Sequence, residues 1–241
     1  MCRLPPAFAG ERERIARLAG IREIVFGGQD GLISTTTLIA GIAATTSQNV
    51  VVLVAGAIAT VAGALSMAVG SYLASRAQRQ LYEAELANEQ REIADKPGEE
   101  MAELLAALVG RGMPRQEAIA VTRRIAAHPN LMIELLGAFE LGLIPEGLGS
   151  PIRDASVTAV AFMAGSVVPL LPFLFLRIQA ALAVTMLLAL AALFTLGALS
   201  ARLSGRAVLT SGLEVVGLGG AAGILGYALG RFVSALFGIS I

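Results

Sequence analysis

The chain has no tryptophan, one cysteine, one histidine, one lysine and only 15% charged residues. Cys2 alone cannot close an intramolecular disulfide or build a thiolate metal cluster within one chain. With His128 as the sole histidine there is no Glu-x-x-His pair, so a ferritin-type di-iron centre is not indicated. No Walker loop, glycine-rich dinucleotide fingerprint or Ser/His/Asp set occurs, and the bases are not clustered for nucleic acid. These absences argue against an enzyme, an organic cofactor and a nucleic-acid partner. Residues 1–20 carry Arg and Glu but no apolar core, so they do not read as a secretory signal peptide.

What is present is apolar. Of 241 residues 56% are hydrophobic, and the mean hydropathy is +0.74; soluble domains are about 45–50% apolar and about 25% charged. The net charge of zero hides a division, because thirteen of the eighteen acids lie between Glu83 and Asp154. Seventeen of the eighteen bases are Arg, and with the Ala/Gly-rich usage this points weakly to a bacterial source.

A bilayer crossing needs about twenty apolar residues. Five runs qualify, near 24–45, 50–74, 155–176, 178–199 and 208–237. The expected fold is an all-α integral membrane protein. It has a cytosolic N-terminal amphipathic segment (1–23), spans one and two (24–75), a cytosolic helical insert (76–150) and spans three to five (151–241). Five Arg precede the first span, and Arg202 and Arg206 join the last two. By the positive-inside rule these segments and the insert face the cytosol. Residues 72–93 lack Pro and Gly, so the second span should continue past the membrane as one helix, breaking at Asp95-Lys96-Pro97-Gly98.

One carboxylate is out of place. Asp30 lies inside the first apolar run, where an acid costs about 2.5–3.5 kcal/mol on the insertion scale. Asp30, Ser34, Thr37 and Gly41 follow at i, i+4, i+7 and i+11, a polar stripe that should face water or another helix. Span two runs the opposite way, and Met67 falls at a similar depth, about 13 Å from the charged boundary at Arg76. A carboxylate with a thioether suits a borderline transition metal, although a lone Met is also ordinary core filler.

The acids of the insert form a second series. Glu85, Glu89 and Glu92 share one helix face, and Glu100 and Glu103 are neighbours on the next helix. A hairpin at residues 95–98 can gather two Glu-x-x-Glu pairs around a divalent cation; a solvated acidic face is the alternative. His128, before a proline, reads as a capping or surface residue. Glu214 is near enough to the cytosolic end of span five to reach water.

The stretch Arg22-Glu23-Ile24-Val25-Phe26-Gly27-Gly28-Gln29-Asp30-Gly31-Leu32 resembles the first-span signature of the vacuolar iron transporter family. Residues 63–74 resemble its second-span signature, residues 140–151 the end of its cytosolic domain, and Pro169-Leu170-Leu171-Pro172-Phe173 its third span. The resemblance implies a five-span homodimer with its pore at the dimer interface and cytosolic metal-binding helices. It puts Asp30 and Met67 on the transport path, and Glu89, Glu92, Glu100, Glu103 and Glu140 at the cytosolic metal site. Two positions depart from the family pattern. Ala59 stands where some members carry a glutamate, and Leu136 stands at a methionine of the cytosolic site, one turn from Met132.

The expected function is export of Fe²⁺, with Mn²⁺ as a second substrate, from the cytosol by proton antiport. The setting is a bacterial plasma membrane rather than an organelle. Ala59 keeps open the alternative of a membrane-anchored metal-binding or buffering protein without active transport, and a passive divalent channel is a further alternative.

Overall fold

The computed structural model describes residues 9–141 and 150–238. They are helical, with no strand among them. The helices are α1 (Ala9–Ala43), α2 (Asn49–Asp95), α3 (Pro97–Gly110), α4 (Arg115–Ala126), α5 (Pro129–Leu141), α6 (Pro151–Leu170), α7 (Pro172–Phe175), α8 (Ile178–Ser204) and α9 (Val208–Phe237). The chain divides into two compact units: Met1–Leu73 with Ser150–Ile241, and Ala74–Gly149.

Several elements follow from local chemistry. Helix α2 runs unbroken for 47 residues, about 70 Å at 1.5 Å per residue, more than twice the hydrocarbon thickness of a bilayer. It stops before Pro97, which opens α3, and Glu99 and Glu100 sit in the first turn of α3, where the helix dipole favours anions. Helix α8 ends on Gly205 at φ 67°, a left-handed cap that only glycine adopts without strain. The third apolar run is interrupted: α6 ends at Leu170 and Pro172 starts the single-turn α7.

Two expectations are met in part. Among the described residues four helices, not five, are long and apolar enough to cross a membrane: those at Asn49–Asp95, Pro151–Phe175, Ile178–Arg202 and Val208–Phe237. Helix α1 falls short because Gln29, Asp30 and the run Ser34-Thr35-Thr36-Thr37 dilute its apolar residues. The described part of the N-terminal segment and the first apolar run belong to one helix, since α1 continues from Ala9 to Ala43 without a break.

The polarity of α1 suits its position, because α6, α8 and α9 all pack against it. Gly27 and Gly31 lie against the backbone of Thr158 and Phe162 on α6, and Gly165 of α6 lies against Gly28. On another side of α1, Gly226 and Gly230 of α9 meet the backbone of Thr37 and Gly41. A Cβ at Gly31 or Gly230 would overlap a carbonyl oxygen, so these approaches require glycine. The glycine-rich face of α9 is thus used within the chain.

These pairings also set direction. Residue numbers on α6 and α9 rise together with those on α1, so the three helices are parallel. Helix α2 pairs Gly56 with Leu170 and Gly63 with Phe162, and α8 pairs Leu193 with Gly219 and Met186 with Gly223, so both run the other way. At the α1–α2 turn Ile39, Val52, Phe173 and Ala181 form a buried cluster. Beside it the Asn49 amide donates to Phe173 O at 2.9 Å and Leu176 O at 2.6 Å. In the second unit Leu104, Met132 and Leu136 form the core, and Arg111 stacks over the Phe139 ring at 3.9 Å.

Candidate functional site

The carboxylate group of the second unit has the clearest geometry. Glu89 and Glu92 lie three residues apart on α2, and Glu100 enters from the first turns of α3 after the Pro97 break. One carboxylate oxygen from each lies within 4.8 Å of the others. Oxygens that share one cation are separated by no more than about twice a metal–oxygen distance of 2.0–2.6 Å. The group therefore has the dimensions of a divalent-cation site built from hard ligands.

Its electrostatics point the same way. Glu89 is 5% exposed and Glu100 4%, whereas Glu92 is open to solvent. Glu100 Oε2 is buried with no hydrogen-bond partner among the described residues. Burial raises the Glu100 carboxyl above its ordinary value, and the charges of Glu103, Glu92 and Glu99 push in the same direction. A hydrogen bond with Glu89 opposes them. Lys96, the only lysine, bonds Glu99 at 2.8 Å on the surface. Buried anions left this way need a proton or a cation.

The structure brings three of the expected carboxylates together. Glu103 is exposed and acts on Glu100 through its charge, and Glu85 is exposed and outside the group. The side chain of Glu140 lies outside the described residues. Met132 is 2% exposed and packs with Leu104 and Leu136 in the apolar core. His128 is exposed, and its carbonyl caps α5 by accepting from Leu131 and Met132 N–H. One contributor was not anticipated: Asn88 Nδ2 donates to Glu92 Oε1 at 3.0 Å and orients it. The i, i+4 spacing of Asn88 and Glu92 was the available signal.

In the first unit α6 serves as a common ruler. Asp30 lies between Gly27, which abuts Thr158, and Gly31, which abuts Phe162. Met67 lies between Gly63, which meets the Phe162 ring, and Ser71, whose hydroxyl is 3.3 Å from Thr158 Oγ1. Asp30 and Met67 are thus at one level along the bundle, within about one helical turn. Both are partly covered.

The polar stripe of α1 divides. Ser34 donates to the Asp30 carbonyl at 2.6 Å and Thr37 to the Ile33 carbonyl at 2.7 Å, so both hydroxyl protons are held by the helix. Their oxygens keep lone pairs, the part a cation uses. Ser34 remains exposed, while the Thr37 methyl and carbonyl pack at Gly226.

Residues 21–231 match a family model described as the VIT family. The chain is 31% identical over 217 residues to vacuolar iron transporter 2 of Oryza sativa subsp. japonica, covering 90% of this chain and 88% of that one. It is 30% identical over 214 residues to vacuolar iron transporter 1 of Arabidopsis thaliana, covering 88% and 86%. Vacuolar iron transporter of Toxoplasma gondii is 26% identical over 232 residues, covering 92% and 76%.

Proposed function

Since the chain belongs to the VIT family, we propose that this membrane transporter of metal ions moves Fe²⁺, with Mn²⁺ as a second substrate, out of the cytosol in exchange for protons. The observation that carries the reading is the convergence of Glu89, Glu92 and Glu100, two of them buried, in a chain whose described residues include four long apolar helices. These carboxylates collect the ion on the cytosolic side. Asp30 and Met67, at one level of the membrane bundle, form the site within the membrane, with Ser34 and Thr37 adding neutral oxygens.

Several features support the finer parts. Helix α1 runs parallel to α6 and α9 and in register with them from Gly27 to Gly41, which favours a fifth crossing. Arg202 and Arg206 between the last two spans favour the cytosolic orientation. The outer face of α2 (Val54, Ile58, Val61, Leu65, Val69) is apolar and exposed, and Gly70 has nothing near it. A second copy of the chain docked there would double the membrane site as a homodimer. The Arg-, Ala- and Gly-rich composition favours a bacterial plasma membrane.

Ala59 supports one competing reading, a membrane-anchored metal buffer, because it removes an acid from span two. Flux of Fe²⁺, Mn²⁺ and Zn²⁺ into liposomes, with and without a pH gradient, separates the readings. Antiport gives flux that follows the gradient. A passive channel gives flux indifferent to it, and a buffer gives metal binding with no flux.

A further inference from the structure

We propose that Glu23 is an additional cation-binding residue on the path, a carboxylate at its cytosolic mouth, and that Thr158 is its positioning residue. This rests on the transport reading above and adds a step to it.

Glu23 and Asp30 are seven residues apart on α1 and share one face, about 10 Å apart along the axis. No single ion can touch both, because metal–oxygen contacts are about 2.0–2.6 Å. An ion that reaches Asp30 along this face passes Glu23 first.

The setting of Glu23 is unusual for a structural acid. It is half-buried, and its contact is a neutral hydroxyl: Thr158 Oγ1 lies 2.8 Å from Glu23 Oε2. Among the described residues no cation pairs with Glu23, although Arg22 is its neighbour in sequence. Partly buried carboxylates that serve only the fold are ordinarily paired. Among the described residues the carboxylate is held in place by a hydroxyl and faces no cation.

Thr158 is suited to hold it. The residue is 0% exposed, and its Oγ1 also lies 2.8 Å from Asp154 O and 3.3 Å from Ser71 Oγ. A threonine has one proton to give. The charge-assisted bond to an ionised Glu23 is stronger than a back-bond to the Asp154 carbonyl, so the proton goes to Glu23. Ser71 can then donate into the Thr158 oxygen. One hydroxyl thus fixes a carboxylate of α1 against α6 and α2.

The test is Mn²⁺ flux in liposomes reconstituted with the full chain, comparing wild type, E23Q, T158V, T158S and D30A. Loss of the E23Q carboxylate raises the Mn²⁺ concentration for half-maximal flux about tenfold, with the maximal rate within about twofold. T158V raises it about tenfold by freeing the carboxylate, the lower end of the roughly 10–100-fold range for groups that orient ligands. T158S, which keeps the hydroxyl, restores the wild-type value. E23Q and T158V with wild-type half-saturation, and only lower melting temperatures, would overturn the proposal and leave the pair a helix clamp. That result beside a D30A variant that has lost flux defeats this inference alone. Wild-type liposomes that move no metal defeat the transport reading and this step with it.

Discussion

The ring of Phe162 on α6 occupies the notch that Gly63 leaves on α2. A Cβ at residue 63 would overlap that ring, so the contact depends on hydrogen at that position. Inside a bilayer lipid competes equally for apolar surface, and helices associate through close fit and hydrogen bonds. G63L should therefore destabilise the bundle by about 1–3 kcal/mol through overpacking. Thermal unfolding in detergent checks this. A melting temperature equal to wild type would mean that α2 is held elsewhere.

Asp30 should be indispensable for transport and dispensable for folding, because its carboxylate has no bond to another helix among the described residues. D30A is expected to abolish Fe²⁺ and Mn²⁺ flux while its gel-filtration profile and melting temperature stay near wild type. M67L keeps the side-chain volume and removes the thioether. It should depress Fe²⁺ flux more than Mn²⁺ flux, since the softer ion loses more when sulfur is replaced. Equal loss for both metals would assign Met67 to packing.

The raised Glu100 carboxyl gives a pH dependence with a definite sign. Its folded-state affinity for a proton exceeds that of the unfolded chain, whose ordinary value is 4.5. The folded state therefore loses stability as pH rises from about 4.5 through the folded-state value, where Glu100 must carry its charge. Without metal the protein should melt at a higher temperature at pH 5 than at pH 7, as far as this group is concerned. A divalent cation replaces the proton, so Mn²⁺ should stabilise at pH 7 much more than at pH 5. E100Q should flatten both responses. Calorimetry at the two pH values with and without Mn²⁺ makes the comparison.

Asn88 donates to Glu92 at 3.0 Å, so N88A should leave the carboxylates in place and less well oriented. Mn²⁺ affinity measured by titration calorimetry is expected to fall about tenfold, the lower end for groups that orient metal ligands. An affinity unchanged in N88A would show that Glu92, the exposed member, is oriented by the ion itself.

Much of the candidate site was readable from spacing. Glu89 and Glu92 share a face of any helix that contains them, and the Pro97 break is what allows Glu100 to turn back towards them. Glu85 was indistinguishable from Glu89 by the same rule, since both belong to one periodic series. What separates them is burial: Glu89 is buried and bonded to Glu100, whereas Glu85 is open to solvent. Met132 offered a thioether one turn from Leu136, and packing against Leu104 assigned it to the core.

The sequence by itself determined the helices, their punctuation at Pro97, Pro129, Pro151 and Gly205, and the presence of a carboxylate in an otherwise apolar run. Those properties depend on residues within a turn or two of one another, where propensity and periodicity act. Only the tertiary structure decided which faces meet. It set Asp30 and Met67 to one level through Thr158 and Phe162 of α6, turned Thr37 into the glycine face of α9, and joined Glu23 to Thr158 across 135 residues of sequence. Such pairings are fixed by how closely backbones can approach at Gly27, Gly31 and Gly226 and by the ring seated at Gly63, and a single helix carries no record of its neighbour's shape.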